Sequence, residues 1–143
     1  MQPNKAFVVD SSVAVKWFNQ RDEKYIDQAD KILADVQNRK SYILMPELAK
    51  YEVGNALLNK QMSLQSTLGS LATYYSFPIQ FVPQDLQQAQ DATKIANENQ
   101  ITYYDASFMA LAKEQKAVLI TDNPKHQKRK ITGLTVISLK DYR

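Results

Sequence analysis

Short apolar runs alternate along this chain with longer stretches in which apolar residues recur every three or four positions. The first run, residues 6–9, reads Ala-Phe-Val-Val and ends on Asp10. Its length and β-branching suit a buried strand. Ser11 or Ser12 is placed to cap a following helix through Val13, Val15, Trp17 and Phe18. A second helix is predicted over residues 22–38, where Ile26, Ala29, Ile32, Leu33 and Val36 share one face. Residues 42–45 form the next apolar run. Pro46 is expected to open a helix carrying Leu48, Tyr51, Val53, Ala56, Leu57 and Leu58, because a first-turn N–H has no helical partner to lose. A helix over 63–75, a strand over 79–82 and a long helix from Pro83-Gln84-Asp85 to about Asn99 follow. Asp105 begins another helix, with Phe108, Met109, Leu111 and Ala112 as its apolar positions. Residues 117–120 and 134–137 are the fourth and fifth strands. Strands alternating with helices predict an α/β fold around a mainly parallel sheet. No repeat, linker or low-complexity segment interrupts the pattern, so residues 1–143 read as one domain. The leucines at 57, 58, 64, 68 and 71 read for the most part as core.

Composition narrows the chemistry. There is no cysteine, which removes disulfides and thiolate metal sites. No stretch reaches the roughly 20 apolar residues that span a bilayer. The first residues lack the charged-then-apolar pattern of a signal peptide, so a cytoplasmic protein without membrane attachment is expected. A net charge of +3 is too small to imply nucleic acid. Its distribution says more, because Lys125, Lys128, Arg129 and Lys130 lie close together. Such a run is either a solvated loop or a phosphate-binding segment.

The acids carry the functional signal. Ligands of open α/β sheets bind outside the carboxyl ends of the strands. Asp10 closes the first strand and Asp122 the fourth, so both belong at that edge. Asp105 stands at a helix start, as a cap or as a ligand. Glu52 sits mid-helix with Asn55 on the same face. A carboxylate there is either exposed or buried beside a compensating charge, which a metal ion supplies. Carboxylates with one histidine and no cysteine favour oxygen-ligated hard cations, Mg²⁺ or Mn²⁺, over zinc. The lone His126 lies in the lysine-rich segment, a poor setting for a Ser-His-Asp triad. Gly54, Gly69 and Gly133 are too scattered for a phosphate loop.

Four segments in order carry a family likeness: Val8-Val9-Asp10-Ser11-Ser12, then Pro46-Glu47-Leu48 with Tyr51-Glu52-Val53-Gly54-Asn55-Ala56-Leu57, then Tyr103-Tyr104-Asp105-Ala106, then Leu119-Ile120-Thr121-Asp122-Asn123. The chain resembles the PIN domain, and within it the VapC type of toxin nucleases. The resemblance implies a three-layer α/β/α domain that cleaves RNA with Mg²⁺ or Mn²⁺. It implies metal and catalytic roles for Asp10, Glu52 and Asp105. The fourth position falls on Asp122 or Asn123, since the family pattern places Asn123 in the acidic slot and Asp122 beside it. Ser11 and Thr121 match flanking hydroxyl positions, and Asn55 a polar partner on the glutamate helix. Lys125, Lys128, Arg129 and Lys130 follow the last motif and are placed to hold RNA. The resemblance further implies a cognate antitoxin protein and a homodimer. A non-catalytic PIN-like RNA-binding or scaffold domain is the alternative. A receiver or aspartyl phosphatase would need a further acid beside Asp10, and Ser11-Ser12 supplies none.

Overall fold

A computed structural model describes residues 5–143, apart from the side chain of His126. The polar residues 1–4, read above for a signal segment, and the triad reading on His126 lie outside it. Five parallel strands form one sheet in the order β3-β2-β1-β4-β5, made of β1 (Lys5–Val9), β2 (Ser41–Pro46), β3 (Ile79–Val82), β4 (Val118–Thr121) and β5 (Thr135–Ser138). β1 pairs on one side with β2, Val8 opposite Leu44, and on the other with β4, Val9 opposite Ile120. The chain winds outward from β1 in one direction, then returns to add β4 on the other side. This reversal leaves a crevice at the carboxyl ends of β1 and β4. The Asp10 N–H donates to Ile120 O at 2.9 Å and ties those two ends together.

Helices cover the sheet in the expected three-layer α/β/α arrangement. They are α1 (Ser11–Ala14), α2 (Ile26–Gln37), α3 (Leu48–Leu58), α4 (Leu64–Ser76), α5 (Leu86–Asn99), α6 (Tyr103–Glu114) and α7 (Pro124–Gln127). The central strands read as continuous apolar runs because both faces are covered, and Val8, Val9, Leu119 and Ile120 are fully buried. Ala106 to Ala112 of α6 are all buried, so the middle of this helix is covered on every side and lies deep in the molecule.

Several boundaries differ from the sequence expectation. Asp10, and neither Ser11 nor Ser12, caps α1, accepting the Ser12 N–H at 3.2 Å. That helix stops at Ala14 and tightens into a 3-10 turn, Val15–Trp17. Pro46 ends β2 opposite Val82 and does not open α3. The pairing of β2 with β1 stops at Leu44, so Pro46 withholds no N–H from β1. Helix α2 starts only at Ile26, because Asp22 and Tyr25 adopt the left-handed backbone, φ 58° and 60°. Leu58, Leu64 and Leu68 are exposed, against the core reading, whereas Leu57 is buried and Leu71 half-buried. No helix among the described residues is long and apolar enough to cross a membrane.

Candidate active site

Asp10 sits where β1 leaves the sheet, and the next two residues wrap its carboxylate. Oδ2 accepts both the backbone N–H and the hydroxyl of Ser12. Oδ1 accepts Nε2 of Gln127 at 3.2 Å. Asp10 is buried all the same. Burial pushes its carboxyl above the usual range, the bonds from Ser12 and Gln127 pull it back, and the Asp105 charge adds to the rise.

Glu52 comes to the same place from α3. Ala49, Val53 and Leu57 of that helix face the core, and Glu52 lies beside them, half-buried. Its Oε1 accepts the Ser11 hydroxyl at 3.0 Å. Burial raises this carboxyl too, with Ser11 opposing and the charges of Asp10 and Asp105 reinforcing the shift.

Asp105 is the third residue of α6, but it is not the cap. Thr102 Oγ1 accepts the Asp105 N–H at 3.0 Å. The Asp105 carboxylate makes no hydrogen bond among the described residues. The fold thus brings Asp10, Glu52 and Asp105 within electrostatic reach of one another at the sheet's carboxyl edge. Among the described residues no three Asp, Glu, His or Cys side chains are drawn closely enough to grip an ion as they stand. Uncompensated carboxylates repel one another. The available donors are all hard oxygens, and one more buried oxygen, Oε1 of Gln127, has no partner among the described residues. That set fits a hard divalent cation.

Residues 7–131 match the model of the PIN domain. The chain belongs to the PIN-domain family. No curated protein sequence matches it. Among solved structures it is similar to VapBC2 from Rickettsia felis bound to a promoter DNA fragment, at 15% identity and a TM-score of 0.70, covering 93% of this chain and 98% of that one. DNA-bound VapBC from Salmonella typhimurium aligns over 94% of this chain and 98% of its own, at 17% identity and a TM-score of 0.68. VapC20 from Mycobacterium tuberculosis, a toxin that cleaves the sarcin-ricin loop, aligns over 79% and 86%, at 14% identity and 0.63.

The remaining acid of this PIN domain has a different environment. Asp122 Oδ2 lies 3.0 Å from the ammonium of Lys16, which is almost fully buried. The same ammonium reaches Glu23 Oε2 at 2.7 Å, and Glu23 also pairs with Lys60. Burial alone would push Lys16 down, yet its bonds to Glu23 and Asp122 hold the ammonium above its ordinary value. Asp122 meets the cluster through its backbone, whose N–H donates to Ser12 Oγ at 3.2 Å. The buried Thr121 hydroxyl accepts the Asn123 N–H at 2.8 Å and shapes the same turn.

Asn55 is exposed and does not bond Glu52. It lines a groove with Tyr51, Leu71 and Tyr75, while the hydroxyl of Ser11 takes the place expected for it. Lys125, Lys128, Arg129 and Lys130 are exposed. The last three line a cavity of about 680 Å³ with Ile131, Leu134 and Val136, and none of the acids reaches it.

Sequence reasoning did not single out Lys16, Ser12 or Gln127 as site residues. Lys16 left a trace, a lone cation within Val13-Ala14-Val15-Lys16-Trp17. Gln127 left none, because its burial depends on how α7 packs onto α6 and β5.

Proposed function

We propose that this PIN domain is an endoribonuclease that cleaves RNA phosphodiesters with Mg²⁺ or Mn²⁺, and that it is the toxin of a toxin–antitoxin pair. The observation that carries the reading is the meeting of Asp10, Glu52 and Asp105, from three distant segments, at the sheet's ligand edge. Membership of the PIN family and the likeness to VapC toxins support it.

Asp10 and Asp105 are the principal metal ligands in this reading. Asp10 and Asp105 would hold a divalent ion, which would supply charge neutralisation, polarisation of the phosphoryl group and activation of water. Glu52, with its carboxyl raised by burial and steadied by Ser11, is suited to hold a proton from the attacking water. Ser11 and Thr121 orient their neighbours. The fourth ligand position falls to Asn123, or to Asp122 if that side chain exchanges Lys16 for the ion. Lys125, Lys128, Arg129 and Lys130 hold the RNA backbone beyond the acids. The exposed apolar residues of α3 and α4 serve a cognate antitoxin or a second copy of the chain, and the protein acts in the cytoplasm.

Cleavage of a labelled single-stranded RNA, with Mn²⁺ or with EDTA, tests the reading. Cutting that needs Mn²⁺ and is lost in Asp105→Asn supports it. RNA binding without cutting at any metal concentration would favour a non-catalytic RNA-binding domain instead.

A further inference from the structure

Gln127 is a buried residue that touches two of the acid-bearing segments at once. Its Nε2 donates to Asp10 Oδ1 at 3.2 Å and to the backbone oxygen of Asp105 at 3.3 Å. Both partners are acceptors, so the amide orientation is determined: the N–H groups face the acids and the oxygen is the remaining atom. That oxygen has no hydrogen-bond partner among the described residues, although the residue is fully shielded from solvent. Buried polar atoms are nearly always paired, and an exception asks for an explanation such as a ligand.

Position separates this orphan from the other one among the described residues, Ser41 Oγ. Ser41 opens β2 opposite Lys5, at the amino end of the sheet and away from the acids. The Gln127 oxygen shares one planar carbon with the nitrogen that holds Asp10, so it lies one amide width from that contact. An unpaired hard-oxygen donor therefore belongs to the same amide whose nitrogen holds the Asp10 carboxylate. A hard cation relieves both the unpaired oxygen and the repulsion among the carboxylates, since amide oxygens ligate such ions alongside carboxylates.

We propose that Gln127 belongs to the cation site of this PIN domain: its N–H groups hold Asp10 and the first turn of α6, and its amide oxygen is a neutral ligand for a divalent ion. The inference rests on the metal-dependent reading above and adds a residue to it. Gln127 brings an oxygen without a further negative charge, which limits repulsion in the metal-free state.

The test is Mn²⁺ binding by the full chain, read as loss of the free-ion signal in electron paramagnetic resonance and as the Mn²⁺-induced rise in Tm. Gln127→Leu removes both the oxygen and the N–H groups. Gln127→Glu keeps an oxygen donor and removes the N–H groups. Binding weakened tenfold or more in Gln127→Leu, with affinity retained in Gln127→Glu, is the expected result. If Gln127→Leu does not fold, Gln127→Met keeps the unbranched shape and takes its place. Unchanged Mn²⁺ affinity in the apolar variant would overturn the inference while leaving the acids in place. Equal loss in the apolar and glutamate variants also overturns it, reducing Gln127 to a support for Asp10. A wild-type chain that does not bind Mn²⁺ sinks the metal-dependent function and this inference together.

Discussion

Lys16 and Asp122, 106 positions apart by number, meet at 3.0 Å between Nζ and Oδ2, with the lysine almost wholly buried. The pair fastens the segment after β1 to the turn after β4, the two ends that flank the crevice. Replacing Lys16 by Met keeps its bulk and strands Asp122 and Glu23 without their shared cation. The expected loss is about 3 kcal/mol, the low end for breaking a buried pair, because both acids retain some water contact. Urea denaturation measures it. Lys16→Met/Asp122→Asn recovers part of the loss. A Lys16→Met variant as stable as wild type would mean that the pair is dispensable.

The raised carboxyl of Glu52 gives the metal-free protein a definite pH response. Burial, with the charges of Asp10 and Asp105 adding to it, makes the folded chain hold a proton that the unfolded chain releases at ordinary glutamate values. Between the ordinary and the raised value the folded state binds more protons, so this group's contribution to stability falls as pH rises. Glu52→Gln keeps an acceptor for the Ser11 hydroxyl and does not titrate. Its stability relative to wild type is therefore expected to grow from about pH 4 upward. Denaturation curves across that range that stay parallel would contradict the assignment.

The Asp105 carboxylate makes no hydrogen bond among the described residues that an amide would disturb. Asp105→Asn removes one of three mutually repelling charges while nearly keeping shape, so the metal-free variant is expected to be at least as stable as wild type. An ion bound only by the folded state adds about 2.7 kcal/mol at a hundredfold excess over Kd. Most of that rise disappears in the variant. Thermal unfolding with and without Mn²⁺ checks both halves, and a full metal shift in Asp105→Asn removes Asp105 from the site.

Lys128, Arg129 and Lys130 flank a cavity that the acids do not line. If they hold the RNA backbone, replacing all three by alanine weakens binding and flattens its dependence on salt, because fewer counterions are released. Binding to a non-cleaved RNA at several salt concentrations measures the slope. An unchanged slope reduces the segment to a solvated loop.

The strand positions and the α/β class were legible in the sequence because they follow from local pattern. A run such as Phe7-Val8-Val9 is apolar on both faces only when both faces are covered, and its end marks the edge where Asp10 stands. The family likeness was legible for the same reason, since each motif is contiguous. Capping and element starts were less so: Asp10, Ser11 and Ser12 are all good caps, and only backbone geometry selects among them. What the tertiary structure alone decided is which polar side chains meet. Ser11 and not Asn55 partners Glu52, Lys16 claims Asp122, and Gln127 reaches Asp10 from 117 residues away. Those pairings depend on the register of β1 against β4 and on the packing of α3 and α7. Both are set by burial of apolar faces distributed over the whole chain, which no local stretch of sequence encodes.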